Sequence, residues 1–475
     1  MAHASRWDDS FQDLPPLRRS PILQPVGHPI GALHGGHALG AFTGENMAIC
    51  VYGSDDYPAV VAYDLDDGAI RWTSPREDLA LPDHPFRSGV LMARVQLDGA
   101  QAHRCVFAAS RAGIVAYSDT GERLWLRRAW QITPAAPDGI GTPIALSYAD
   151  SGALVTATST GWVIKLDPCD GTPLDAYRME TRVLAGGRMR GGYLATFKAP
   201  IVIGDVMYLV VEFKPDKADR LPEPLCPCFL VRIELGAWDS AIERLAVPSE
   251  PGDRPPDRIQ LGTGRARASP SATMGADGGV LICASAHGER PVITGVQDIG
   301  GKLGLSWEIA LDSGETIHAA PALHRPTGTL LVSTMRRLVA VPHVTDADGQ
   351  ARAPVPLSPS DLLSPRVATR STQVAFGSPF ALTYDREREE LVAYTNMRVR
   401  VRGRTYGLLG AFSLSPGGRR ARALWTCPLS DNPAGSPLPG PGTLGQPALF
   451  RYAADAGEQT GLIVTTVSRG TFMLR

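Results

Sequence analysis

The sequence predicts an all-β chain: a single eight-bladed β-propeller of four-stranded antiparallel blades, its last blade closed by an N-terminal strand. Three observations predict it. A unit recurs eight times over the 475 residues, at an average of roughly 59 residues. Within each unit apolar residues alternate with a period of two, not 3.6. The chain also holds 50 Gly and 40 Pro, roughly 19% of its residues against a usual ~12%, with no strict Gly-X-Y period. Length alone suggests about three domains. The repeat replaces them with one domain over 1–475: a flexible tail at 1–15, a closing strand at 16–30 and the repeats from 36 to 475.

Each unit begins with a short apolar strand. Two starts lie near His37-Ala-Leu-Gly40 and Ser88-Gly-Val-Leu-Met92, and six carry proline: Pro143, Pro200, Pro270, Pro321, Pro379 and Pro447, which are 57, 70, 51, 58 and 68 residues apart. A second strand follows, rich in β-branched and apolar residues, as in Met47–Tyr52, Cys105–Ala109, Ala153–Ala157, Thr329–Ser333 and Leu462–Thr466. Tight turns such as Ser110-Arg-Ala-Gly113 and Thr158-Ser-Thr-Gly161 lead to a third strand. An Asp/Gly turn then opens an outer strand that ends in an aromatic: Trp72, Trp125, Tyr177, Trp307 and Trp425. Four short strands per repeat is the arithmetic of a propeller blade. The chain stops after three strands of its last unit, which would leave an unpaired edge. Leu17–Val26 is expected to supply the missing outer strand, where Pro21 and Pro25 are tolerable because only one side needs hydrogen bonds.

The Ser-Pro strand, apolar strand, Ser/Thr-x-x-Gly turn, Val-x-Ala-Tyr-Asp, turn Gly and terminal Trp together resemble the repeat of the pyrroloquinoline-quinone-like (quinoprotein-like) β-propellers. The resemblance runs from about Gly36 to Arg475 and is best in units 1, 2, 3 and 8. It implies eight blades. It also implies, for the dehydrogenases of the family, a quinone held in a central funnel with a calcium or lanthanide ion, often under a vicinal disulfide. This sequence has no Cys-Cys dipeptide and no Asp-Tyr-Asp type metal motif, so no cofactor is expected.

Composition narrows the partners. With 47 Lys+Arg against 48 Asp+Glu, there is no electrostatic case for nucleic acid or an anionic membrane. Met1–Pro21 lacks a signal-peptide pattern, and no run of ~18 apolar residues occurs, so a cytoplasmic monomer is expected. The seven cysteines are scattered and odd in number, which suits free thiols.

Candidate chemistry lies in the loops between blades, where binding groups gather on a propeller face. The segment 27–37 holds His34 and His37. The loop 181–193 holds Arg188, Arg190 and Tyr193, the loop that contains Arg258 and ends at 262–267 holds Arg265 and Arg267, and the loop 312–318 holds Glu315 and His318. The expectation is a small-molecule site in which His34, His37 or His318 transfers a proton. Arg188, Arg190, Arg265 and Arg267, with Tyr193 and Glu315, would hold an anionic substrate. The reaction class would be a cofactor-independent cyclisation, elimination or isomerisation.

No metal site is expected. His28, His34 and His37 have no element that puts them on one face, Asp64-Leu-Asp66-Asp67-Gly68 lacks the remaining calcium ligands, and Cys226-Pro-Cys228 has no second pair for zinc. The blander readings are a solvated mobile loop for Gly186–Gly192 and core packing for the tryptophans. The alternatives are a non-catalytic protein-interaction scaffold and a quinone-dependent dehydrogenase.

Overall fold

The computed structural model describes residues 16, 23–26, 37–42, 45–52, 59–75, 77–78, 90–97, 102–133, 140–219, 221–222, 225–238, 257–266, 268–274, 278–288, 290–317, 319–324, 327–334, 337–342, 344, 354–357, 373–376, 380–401, 404–415, 420–428, 447–454, 457–466 and 470–474. The chain divides into two compact units. The described residues of Arg87–Thr316 form one, and those of Asp8–Phe86 with Ile317–Arg475 form the other.

In the first unit, sheet 2 holds Val90–Gln96, Ala102–Ser110, Gly113–Ser118 and Arg123–Arg128. Sheet 3 holds Pro143–Tyr148, Leu154–Thr158, Trp162–Leu166 and Pro173–Arg178. Sheet 4 holds Glu180–Ala185, Arg188–Ala195, Ile201–Ile203, Val206–Pro215, Pro227–Glu234 and Arg258–Thr263. Sheet 5 holds Ser271–Met274, Val280–His287, Pro291–Ile299 and Lys302–Ala310. Successive sheets share cores: Phe107 and Ile164 join sheets 2 and 3, Val155 and Phe213 join 3 and 4, and Val210 and Ile282 join 4 and 5.

In the second unit, sheet 1 holds His37–Phe42, Glu45–Tyr52, Ala59–Asp64 and Ile70–Thr73, and sheet 6 holds Ala322–His324, Thr329–Ser333, Leu338–Val341 and Val355–Leu357. Sheet 7 holds Gln373–Phe376, Ala381–Asp385, Glu390–Val401, Arg404–Leu414 and Ala421–Pro428. The remaining sheet joins Ala448–Ala454, Gly457–Thr466 and Gly470–Leu474 to Leu23–Val26, which runs antiparallel to the chain's end with Leu23 opposite Leu474. Leu331 and Phe380 join sheets 6 and 7, Tyr394 and Leu462 join sheet 7 to the composite one, and the first strand of the composite sheet lies against the first strand of sheet 1.

The chain is thus an all-β β-propeller of four-stranded antiparallel blades. The expectation of eight blades is corrected to seven, and not all of them keep to four strands. Among the described residues seven sheets are built from consecutive strands, and the last is a composite. Sheets 4 and 7 also exceed four strands, for the same reason. In each, two segments pair with one long strand: Arg188–Ala195 and Ile201–Ile203 with Val206–Pro215 in sheet 4, Gln373–Phe376 and Ala381–Asp385 with Glu390–Val401 in sheet 7.

The tryptophans pack as the sequence implies: Trp125, Trp307 and Trp425 are buried and Trp72 is half-buried. In sheets 1, 2, 5 and 7 one extra residue bulges the outer strand immediately before the Trp, which then faces Ala62, Ala116, Gly295 or Ala411. The facing residue is small because the indole lies over it. A Cβ on Gly295 would sit 2.2 Å from Trp307 Cε2. Trp125 also donates its indole N–H to the Pro168 carbonyl in the Asp/Gly turn of sheet 3 (2.8 Å).

Candidate functional site

The segment 180–195, expected as a loop, is a β-hairpin. Its turn is Gly186-Gly187, with φ of +59° and +76°, and Ala185 faces Arg188 across it. A two-residue hairpin turn matching the strand twist needs positive φ at both positions, which glycine alone adopts without cost. Along Glu180–Ala185 burial alternates: Thr181, Val183 and Ala185 are buried, while Glu180, Arg182 and Leu184 are exposed. Glu180 faces Tyr193, Arg182 faces Gly191, and Leu184 faces Met189.

Past the hairpin's base, Gly192–Ala195 pairs with Glu212–Pro215. The backbones cross closely there, and a Cβ on Gly192 would lie 2.2 Å from the Lys214 carbonyl oxygen.

Local bonds clasp the hairpin to the turn at Lys217–Asp219. Arg190 donates from Nε to the Ala185 carbonyl and from Nη1 to the Asp219 carbonyl, both at 2.9 Å. Gly191 N–H donates to Asp219 Oδ2 (3.0 Å), and Asp216 N–H to the Gly191 carbonyl (3.0 Å). Val183 and Ala185 enter the core shared by sheets 3 and 4, with Leu221 packed against it. The Gly-rich composition therefore encodes a turn and a close crossing.

Around the base lies a ladder of polar groups. The Arg178 guanidinium stands 4.4 Å from the centre of the Tyr193 ring and 3.5 Å from Glu180 Oε1. Lys214, opposite Tyr193, donates to Glu212 Oε2 (2.7 Å) and lies 5.0 Å from the Phe197 ring centre. The other Glu212 oxygen accepts from Ala266 N–H (2.8 Å), so this buried carboxylate ties strand Val206–Pro215 to the connection that leads into sheet 5.

A second network is wholly buried between sheets 4 and 5. Asp298 Oδ2 accepts from Tyr208 OH (2.6 Å) and from Arg232 Nε (2.7 Å), and Asp257 lies 3.7 Å from Arg232. Burial and the Asp298 hydrogen bond push the Tyr208 hydroxyl up. Burial works against the Arg232 charge, but Asp298 raises its pKa nonetheless. Arg258 is also buried. Burial lowers its pKa, Thr181 Oγ1 accepts from it at 3.1 Å, and its guanidinium lies 5.1 Å from the Phe229 ring centre.

In the other unit His324 is buried, stacked on Tyr384 with ring centres 4.9 Å apart, and bonded through Nδ1 to Thr327 Oγ1 (2.7 Å). Burial lowers its pKa to about 4, so it is neutral at pH 7. No sequence pattern singled it out.

The expected site residues fall as follows. Arg188 and Arg190 share one face of the hairpin strand and Tyr193 takes the other, because strand side chains alternate. Arg188 is exposed, and Arg190 is bonded to backbone carbonyls. Arg265 is exposed on a short bridge to His287, where the preceding Gly264 (φ +95°) would place a Cβ 1.8 Å from the His287 carbonyl oxygen. Arg258, expected in a loop, is a strand residue. Glu315 is buried in the connection after sheet 5. His37 opens a strand and faces Cys50, so it too is not a loop residue, and its side chain lies outside the described residues. His34, Arg267 and His318 lie outside the described residues.

Asp64 is bonded by Arg71 through Nε (3.0 Å) and Nη2 (2.8 Å), in keeping with an ordinary repeat turn. Among the described residues no helix is long and apolar enough to cross a membrane.

No family profile matches the chain, and no curated protein matches it. Solved structures do. The C-terminal WD40 domain of Sif2 aligns with TM-score 0.47 at 9% identity, covering 96% of this chain and 99% of that one. A europium-containing methanol dehydrogenase aligns with TM-score 0.45 at 11% identity, covering 98% and 95%. BamB from Moraxella catarrhalis aligns with TM-score 0.36 at 12% identity, covering 96% and 100%.

Proposed function

We propose that the chain is a protein-recognition scaffold of the PQQ-like propeller type, without quinone chemistry, and that its binding surface is the hairpin Glu180–Ala195 on sheet 4. One observation carries the scaffold reading. The hairpin is firmly anchored beneath, yet above it displays Leu184 and Met189 side by side at 44% and 45% exposure. Adjacent exposed apolar side chains on a fixed element, rimmed by charges, mark a surface for another macromolecule.

The expectation of a small-molecule cyclase, lyase or isomerase has less support. It needs Arg188, Arg190 and Tyr193 to converge, and the hairpin turns them to opposite faces with Arg190 already bonded.

Site-specific photo-crosslinking tests the scaffold reading. A photoreactive side chain at position 184 or 189, in the cells that make the protein, is expected to give a discrete adduct with another protein. The same group at Ile299, 61% exposed on sheet 5, is expected to give none. Equal labelling from 184 and 299, or no adduct from 184 and 189, refutes it.

A further inference from the structure

Resting on the scaffold reading, we propose that the outer edge of strand Glu180–Ala185 accepts an extended peptide as an antiparallel strand, and that the peptide reads apolar–x–acidic–x–basic from its N-terminus. The edge comes first. Glu180–Ala185 ends the strand order of sheet 4, and among the described residues no strand pairs with its far side.

The two-residue turn settles which backbone groups point outward. Ala185 and Arg188 flank it as a bonded pair, and bonding alternates along an antiparallel ladder. Val183 and Thr181 therefore also bond inward, in agreement with the Leu194 N–H donating to the Met179 carbonyl (2.9 Å). The N–H and C=O groups of Glu180, Arg182 and Leu184 face away from the sheet. These three residues also carry the exposed side chains. The strand thus offers backbone pairing and side-chain readout at the same positions, which is how strand-adding recognition works.

Charge and apolarity then define the occupant. Residues directly opposite in an antiparallel pair have their Cβ atoms about 4.5–5.5 Å apart. An antiparallel guest meets Leu184 first, then Arg182, then Glu180. Next to Leu184 and Met189 an apolar side chain fits, opposite Arg182 a carboxylate, and opposite Glu180 a cation. The exposed charges of Glu180 and Arg182 disfavour pairing with an uncharged strand, so the edge admits a guest of complementary charge order.

Binding of synthetic peptides to the full chain tests this by fluorescence polarisation. A labelled peptide centred on Leu-Thr-Asp-Thr-Lys is expected to bind at least about five-fold tighter than one centred on Leu-Thr-Lys-Thr-Asp, since two facing pairs change from attractive to repulsive. In the double variant Glu180→Arg, Arg182→Glu the preference is expected to invert. N-methylation of the peptide's Asp amide is expected to abolish binding to the unaltered protein, a result that does not depend on any variant folding. Absence of binding by both peptides, a preference that does not invert in the folded variant, or indifference to N-methylation overturns the strand-addition proposal. A crosslink at 184 combined with any of these results leaves the scaffold reading standing and removes only the strand addition.

Discussion

Asp298 is the best place to test how sheets 4 and 5 are held together. Its Oδ2 receives Tyr208 OH at 2.6 Å and Arg232 Nε at 2.7 Å, both from sheet 4, while Asp298 itself belongs to sheet 5. All three are buried, so little of the interaction is lost to solvent screening. Removing one member of a buried ion pair costs about 3–5 kcal/mol, because the remaining charge stays desolvated. Arg232 retains Asp257 at 3.7 Å and the half-exposed Glu234 at 3.5 Å, which offsets part of that. Asp298→Asn, which keeps the shape and loses the charge, is therefore expected to cost about 2–3 kcal/mol. Tyr208→Phe removes one hydrogen bond to a charged acceptor and is expected to cost about 1.5 kcal/mol. The double variant should cost about 1 kcal/mol less than the sum, since Tyr208 has already lost its ionic acceptor once Asp298 is changed. Urea unfolding followed by tryptophan fluorescence measures all four proteins of the cycle. A loss below about 0.5 kcal/mol for Asp298→Asn, or strict additivity, refutes the reasoning.

Two further predictions concern packing and pH. Gly295→Ala is expected to cost about 2–3 kcal/mol by driving a methyl into the Trp307 indole, and under about 1 kcal/mol in a Trp307→Leu background; equal costs in both backgrounds refute the fit of the indole over Gly295. His324, with a pKa of about 4 in the folded chain against about 6.5 when unfolded, contributes almost no pH dependence above about pH 7.5. As pH falls from 6.5 to 4 the unfolded chain takes up a proton that the folded one refuses, so stability drops, by up to about 3 kcal/mol, and then levels off. His324→Gln should flatten that slope in urea midpoints measured between pH 7.5 and 4.5, and an unchanged slope would sink the assignment.

Much of the blade was legible in the sequence. The strand-starting prolines among the described residues, the described Asp/Gly turns and the terminal tryptophans fall where the repeat puts them, and Leu23–Val26 does pair with the chain's end. The hairpin at 180–195 was misread because Gly186–Gly192 has the composition of a loop. A Gly-Gly pair following Thr181-x-Val183-x-Ala185 is nevertheless a hairpin signal, and alternation was the evidence to weigh. Arg258 was likewise taken for a loop residue because a long Pro-rich segment precedes it, although its own strand alternates only weakly. Among the site candidates, residue type suggested convergence, but the parity of strand positions separated Arg190 from Tyr193.

The sequence by itself determined the repeat, the all-β architecture and the packing role of the tryptophans. Those depend on patterns of period two and on turn residues, which act over a few neighbours. Only the tertiary structure decided that in sheet 4, and separately in sheet 7, two segments pair with one long strand, that Tyr208 and Arg232 meet an aspartate 90 and 66 residues away, and that burial keeps His324 neutral. Register, desolvation and the outward edge of Glu180–Ala185 are set by which strands come to lie side by side, and no local pattern in the chain encodes that.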